Sequence, residues 1–244
     1  MNHLRVLTLN GVSLDDSSLA SLMALAPDIV AVTDATASAI AAFAGARGMR
    51  STSMTTAAAD GETVAVLWRS DIAVDSTDRF ALGQIGAGAS ALRISFLHAG
   101  DPVSVFCAKL SADPAIGVGQ QARLGGLIDA TRGAVLGACE NVCAQAGVRW
   151  SRCDDAWLGA QRRLLALPPR ADIGLLARSA FGLGPHSPHA VATQARGPAW
   201  YCSDEFSVLE SRSIAAGNSG DTALRFADVV LKSVLNDPHV AVAL

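Results

Sequence analysis

The stretch "LRVLTLNGVSLDDSSLASLMALAPDIVAVTDA", Leu4 to Ala35, decides how the chain is read. Its first seven residues, "LRVLTLN", form a short apolar run that ends on the polar Asn10. Leu19, Leu22, Met23 and Leu25 then recur at the spacing of one helix face, with Asp and Ser upstream to cap it. Pro27 and Asp28 end that helix, and "IVAVTD" follows as a second apolar run closing on Asp34. The pattern is a strand–helix–strand unit whose strands are buried on both faces. Parallel, neighbouring strands of this kind would place Asn10 and Asp34 at one edge of a sheet. A sheet holds such end residues rigid while the adjoining loops open to solvent, so the expectation is a site at that edge.

The same grammar extends along the chain. A helix is expected from Ala35 to about Ala46, and "GETVAVLWRSDIAV" (61–74) reads as strand and turn. "ALRISFLHAGDPVSVFCAKL" (91–110) is two strands joined at "HAGDP", whose Gly and Pro signal a hairpin. A helix is expected over Gly117–Ala130. "GAVLGA" (133–138), "RADIGLLARS" (170–179), "EFSVLESRSI" (205–214) and "ALRFADVVL" (223–231) each read as strands. "GQIGAG" (83–88) lacks the strand-to-helix context and the Lys-Ser/Thr of a phosphate loop, and reads as a surface turn. No repeat, linker or low-complexity block divides residues 1–244, so one α/β domain with mixed or antiparallel strands is expected.

Composition narrows the function. Half of the 244 residues are hydrophobic and 17% are charged, which supports a sizeable core. A net charge of -3 leaves no basic footprint for a nucleic acid. Five cysteines without CxxC spacing read as reduced thiols in a cytoplasmic protein. No stretch reaches membrane-spanning length, and "MNHLRVLTLNG" lacks the apolar run of a secretory signal. Trp150, Trp157 and Trp200 read as packing residues, since no basic stripe accompanies them. The locally basic "WSRCDDAWLGAQRRLLALPPR" (150–170) reads as a solvated helix face or an anion-binding lip.

Taken in order, these blocks resemble the endonuclease/exonuclease/phosphatase superfamily, the DNase I-like fold. "LRVLTLN" and "MALAPDIVAVTDA" are similar to the family's opening, where one strand ends in Asn and the next, after "PDIV", ends in Gln-Glu. "VAVLWRSDI" resembles its next strand, and "PVSVFCAKLSADP" falls where the family has Thr-His-Leu. "GAVLGACEN" matches the strand into Gly-Asp-x-Asn, "RADIGLL" matches Arg-Ile-Asp-Tyr-Val, and "GDTALRFADVVL" falls at the closing Ser-Asp-His. The resemblance implies a four-layer α/β sandwich: two packed mixed or antiparallel sheets flanked by helices, with one cleft at the sheet ends. It also implies phosphoester hydrolysis with Mg²⁺ or Mn²⁺, which needs carboxylates for the ion and a base for the attacking water.

Carried over residue by residue, that machinery is incomplete. Asn10 is retained and would help hold the metal-bound phosphate. Asp34 stands at the metal-binding Glu and is one methylene shorter. Lys109 replaces the His of Thr-His-Leu; it keeps a positive charge but cannot shuttle protons near neutrality. Cys139 replaces the Asp of Gly-Asp-x-Asn, while Asn141 is retained. Asp172 and Asp221 match family aspartates, and Thr222 replaces the His of Ser-Asp-His. His186 and His189 in "GPHSPHA" read as solvated loop residues or, on the sharper account, as a displaced base or metal ligands.

Loss of one acid/base group costs about 10²–10⁴ in rate, and cooperating groups fail as a unit. Three readings result. The chain is a pseudoenzyme that keeps the cleft for a phosphate-containing small molecule or a protein partner. Alternatively, it is a divergent Mg²⁺-dependent phosphodiesterase or phosphatase acting on a small or lipid-type phosphoester. A third reading is new chemistry, with Cys139 as nucleophile and Lys109 lowering its pKa, set against the plainer reading of Cys139 as a small buried hydrophobe.

Overall fold

A computed structural model describes residues 3–10, 25–55, 63–83, 89–140, 150–153, 199–215 and 223–235. Two six-stranded sheets pack face to face. The first comprises β1 (His3–Asn10), β2 (Ile29–Ala35), β3 (Met49–Thr55), β4 (Thr63–Arg69), β11 (Phe206–Ala215) and β12 (Ala223–Leu231), in the order β11-β12-β1-β2-β4-β3. The second comprises β5 (Val74–Ala81), β6 (Ser90–His98), β7 (Asp101–Lys109), β8 (Ala134–Glu140), β9 (Trp150–Arg152) and β10 (Ala199–Ser203), in the order β5-β6-β7-β8-β10-β9. Each sheet has a parallel pair at its middle, β1 with β2 and β7 with β8, flanked by antiparallel neighbours.

The strands alternate their side chains between two apolar layers. On the inner faces Val6, Ile29, Val66 and Trp68 of the first sheet meet Ile94, Phe96, Val105 and Trp200 of the second. Burying a side chain such as Phe96 contributes about 1.5–3 kcal/mol, so this layer is the main source of cohesion. On the outer face of the first sheet lies helix α1 (Ala37–Arg47), which buries Ile40 and Phe43. On the outer face of the second lies helix α2 (Pro114–Asp129), which buries Leu124 and Ile128. A short helix, α3 (Lys232–Leu235), follows β12. The expected four layers are therefore present: helix, sheet, sheet, helix.

Local chemistry sets the helix boundaries. The helix expected from Ala35 starts at Ala37, because Thr36 accepts from the Ala39 amide at 3.2 Å as N-cap while Ala35 stays in β2. It ends at Gly48, in the left-handed region at φ 61°. The helix expected from Gly117 starts three residues earlier, where Asp113 caps the Ala115 amide at 2.9 Å and Pro114 occupies the first turn. The β6–β7 hairpin turns through Ala99 and Gly100, both at positive φ, as a tight two-residue connection requires. The strand expected at 170–179, and the helix expected between β1 and Leu25, lie outside the described residues.

Asp28 explains why "PDIV" precedes β2. Its carboxylate accepts from the Arg5 amide at 2.9 Å and pairs with the Arg69 guanidinium at 2.8 Å. Its backbone N–H donates to the Arg5 carbonyl, and its carbonyl accepts from the Arg69 amide. One buried aspartate thus ties β1, β2 and β4 together at the entry end of β2. Gly137 is likewise dictated by packing: a Cβ there would lie 1.9 Å from the Trp150 ring, which rests on β8 and against Tyr201.

Candidate functional site

The parallel β1–β2 register pairs Asn10 with Thr33, so both strands finish at one edge of the first sheet. Strand β12 runs antiparallel to β1, with Arg225 opposite Thr8, and therefore starts at that edge. In the second sheet Lys109 closes β7 opposite Ser90, the first residue of β6, and beside Glu140, the last of β8. The topology thus gathers the ends of β1, β2, β7 and β8 with the starts of β6 and β12.

Across this edge the two sheets are joined by Asp34 and Lys109. The Lys109 ammonium donates to Asp34 Oδ1, and both side chains are largely but not fully buried. Two residues back on β7, the Cys107 thiol reaches the Val32 carbonyl at 3.6 Å, a second link from the same face. Asp34 takes a left-handed backbone, φ 61°, where the β2–β4 register slips between Val32 and Ala35. Asp tolerates that region better than most residues, and a bulge of this kind re-aims a side chain at a sheet rim. Strain at a sheet end is the backbone signature of a constrained position.

Two buried hydroxyls flank the pair. Thr33 precedes Asp34, and Ser90 sits directly across from Lys109, where opposed antiparallel residues share a face. Among the described residues neither hydroxyl has a hydrogen-bond partner, although Thr33 is fully buried and Ser90 nearly so. Buried polar atoms are normally satisfied, so this edge has hydrogen-bonding capacity that the fold does not use. Sequence reading overlooked both residues; the only available signal was their position at strand ends.

Cys139 lies elsewhere. It belongs to the apolar layer between the second sheet and α2, with Phe106, Ala108 and Ile128, whereas Cys107 belongs to the layer between the sheets. Alternation along β7 puts Lys109 on the face of Cys107, opposite to Cys139. The Cys139 thiol is 1% exposed, and burial, reinforced by Cys107, pushes its pKa well above the ordinary value. Such a thiol is a small buried hydrophobe, the plainer of the two readings of Cys139, and the alternative Cys139–Lys109 nucleophile does not fit this placement. All four described cysteines are buried and outside any disulfide.

The remaining sequence candidates cannot be placed: Asn141, Asp172, His186, His189, Asp221 and Thr222 lie outside the described residues, as does the side chain of Asn10. A divalent ion of the Mg²⁺ class needs several hard oxygen donors at once. Among the described residues no three acidic, His or Cys side chains converge, and the Asp34 carboxylate is matched by the Lys109 ammonium. The described side chains do not by themselves make up that donor set.

Comparison with solved structures places the fold. An endonuclease/exonuclease/phosphatase from Bacteroides vulgatus superposes with a TM-score of 0.68 at 11% identity, covering 95% of this chain and 100% of that one. Humanized TDP2 of D. rerio gives 0.64 at 12% identity, over 94% and 99%. The human Nocturnin catalytic domain, solved with a bound sulfate anion, gives 0.64 at 12% identity, over 94% and 95%. No family model and no curated protein sequence matches the chain. The chain has the two-sheet, DNase I-like fold of these structures, at a sequence distance where the likeness defines architecture alone. No described helix is long and apolar enough to cross a membrane.

Proposed function

We propose that this chain is a hydrolase-fold binding protein whose cleft takes a phosphate-bearing small molecule, its metal-dependent hydrolysis lost or strongly weakened. The observation that carries the reading is the Asp34–Lys109 pair. An ammonium bound to the carboxylate meets its need for a countercharge without any metal. A fixed cation cannot polarise and deprotonate water as a divalent ion does. The neighbouring Thr33 and Ser90 hydroxyls, together with Lys109, supply the donors by which an oxyanion is held. Four buried cysteines outside any disulfide accord with a reducing, cytoplasmic setting.

The test is a titration of the purified chain with Mn²⁺ and Mg²⁺ beside an assay on bis-p-nitrophenyl phosphate. The expected result is no thermal stabilisation by either ion and no turnover above buffer, with stabilisation by inorganic phosphate. Lys109→Ala should abolish the phosphate response. Metal-dependent turnover by the parent that disappears in Asp34→Ala would reject the proposal in favour of a divergent phosphodiesterase.

A further inference from the structure

The two sheets end in four edge strands, β11, β3, β5 and β9. An edge carries a row of backbone N–H and C=O groups ready to pair with another strand, and proteins blunt it with charges, bulges or brevity. Three of the four are blunted in this way. β5 carries Asp75, Asp78 and Arg79, and its register slips between Val74 and Ser76. β11 carries Glu210 and Arg212, with a slip between Val208 and Glu210. β9 is only three residues long.

β3 is not. All seven of its residues, Met49 to Thr55, pair with β4 in unbroken register, from Arg69 to Thr63. The strand has no proline, and its single charge, Arg50, lies next to its start. Among the described residues nothing hydrogen-bonds to its outer edge, since β4 is its only sheet neighbour and no turn or loop bond reaches it. Its side chains on both faces are half-buried to exposed, so the edge is open to solvent.

The surface beside that edge is equally short of charge. Helix α1, which leads into β3, turns Ala37, Ser38, Ala41, Ala42, Gly45 and Ala46 to solvent. The outward side of a surface helix is ordinarily polar and charged. From Thr36 to Thr55 the only charged side chains are Arg47 and Arg50. An uncharged surface of small side chains lets a second backbone approach closely and costs little to desolvate.

We propose that β3 pairs with β3 of a second copy of this chain, antiparallel and centred on Thr52, so that the two first sheets become one continuous sheet. The occupant is argued from the strand itself. "MRSTSMT" reads almost alike in both directions about Thr52. A two-fold axis there sets Thr52 against its own copy, Ser51 against the partner's Ser53 and Arg50 against the partner's Met54. Hydroxyl pairs stabilise antiparallel strands, and no like charges are opposed. A two-fold contact uses the same patch on both subunits, so one open edge suffices. The axis stands perpendicular to the sheet, which keeps both α1 helices on one side, flanking the seam. A strand from another protein would satisfy the same backbone groups but would have no use for the near-palindrome. The pairing is independent of what the Asp34–Lys109 edge binds.

Sedimentation velocity on the full chain, from low to high micromolar concentration, is the test. The expected result is a reversible monomer–dimer equilibrium, weak because strand pairing buries less area than a standard interface. Ser51→Lys/Ser53→Lys sets lysine against lysine at both symmetry-related places and should weaken the dimer by about ten-fold or more. Ser51→Lys/Ser53→Glu sets opposite charges at the same two places and should dimerise at least as well as the parent. Thermal unfolding of the dilute variants should match that of the dilute parent, which separates lost pairing from lost folding. Should the lysine pair unfold the chain, Ser51→Glu/Ser53→Glu makes the same like-charge contrast. A parent that stays monomeric at high micromolar concentration overturns the proposal and leaves the edge to a strand of another protein. Equal weakening by the like-charge and opposite-charge variants, or weakening by neither, overturns it as well.

Discussion

Asp28 and Asp34 stand at the two ends of β2, and each carboxylate faces a cation. At the entry end Asp28 is 3% exposed, and both its side-chain oxygens and its backbone groups are engaged within one sheet. At the exit end Asp34 sits in a bulge with a left-handed backbone, and its cation comes from the other sheet. The first arrangement spends its hydrogen bonds on holding three strands in register. The second holds strain and leaves two buried hydroxyls beside it unused. Carboxylate–cation pairing alone therefore says little about role; what separates brace from site is the backbone beneath the carboxylate and the satisfaction of its neighbours.

The largest expected effect is at the brace. Asp28→Ala removes the acceptor of the Arg5 amide and one of the two carboxylates on the Arg69 guanidinium, and should cost about 2–3 kcal/mol in urea unfolding. The partial exposure of Arg69 keeps the figure below that of a fully buried pair. A loss under about 0.5 kcal/mol would equate the two ends and break the comparison.

A smaller effect should distinguish the two backbones. At Asp34 glycine should be better tolerated than alanine, by about 1 kcal/mol, since only the alanine has a Cβ to place at φ 61°. Both variants lose the Lys109 pair equally, so their difference isolates the backbone term. At Asp28, which has no positive φ, the order should invert, alanine matching or exceeding glycine. Equal stability of the two Asp34 variants would mean that the left-handed turn is not imposed by the bulge.

Much of this arrangement was legible in the sequence, and the omissions have physical reasons. The parallel pairing of β1 and β2 followed from two apolar runs around a helix-spaced segment, and the structure pairs them so. Strands β3, "MRSTSMT", and β5, "VDSTDRFA", went unread because both are edge strands, largely polar and exposed, without the apolar pattern that marks a buried strand. Asp34 and Lys109 were both singled out, but not as partners: their contact joins residues 75 apart across two sheets, which no local pattern encodes. Cys139 was assigned to the cleft by its motif position, whereas the pleat of β8 turns it under α2. Motif order reports where a strand ends; which face a side chain takes there depends on register.

The smallest effect concerns the far side of the brace, where Arg69 is shared. Its Nε and Nη2 donate to Asp71 at 2.5 and 2.6 Å, while its Nη1 holds Asp28. The hydrogen bonds from Arg69 hold the Asp71 carboxyl below the ordinary carboxylate range, and Asp71 in turn raises Arg69. A carboxyl whose pKa is lower folded than unfolded adds stability above its unfolded value and loses it as pH falls through the folded one. The stability difference between the parent and Asp71→Asn should therefore be constant from neutrality down to the ordinary carboxylate range and shrink below it. Because Asp71 is fully solvated, the difference should be small and should fade in high salt. Asp28, out of reach of that screening, should keep its effect in the same salt. A salt response as large at Asp28 as at Asp71 would show that the brace is a surface ion pair after all, and the contrast between the two ends of β2 would then rest on the left-handed backbone of Asp34 alone.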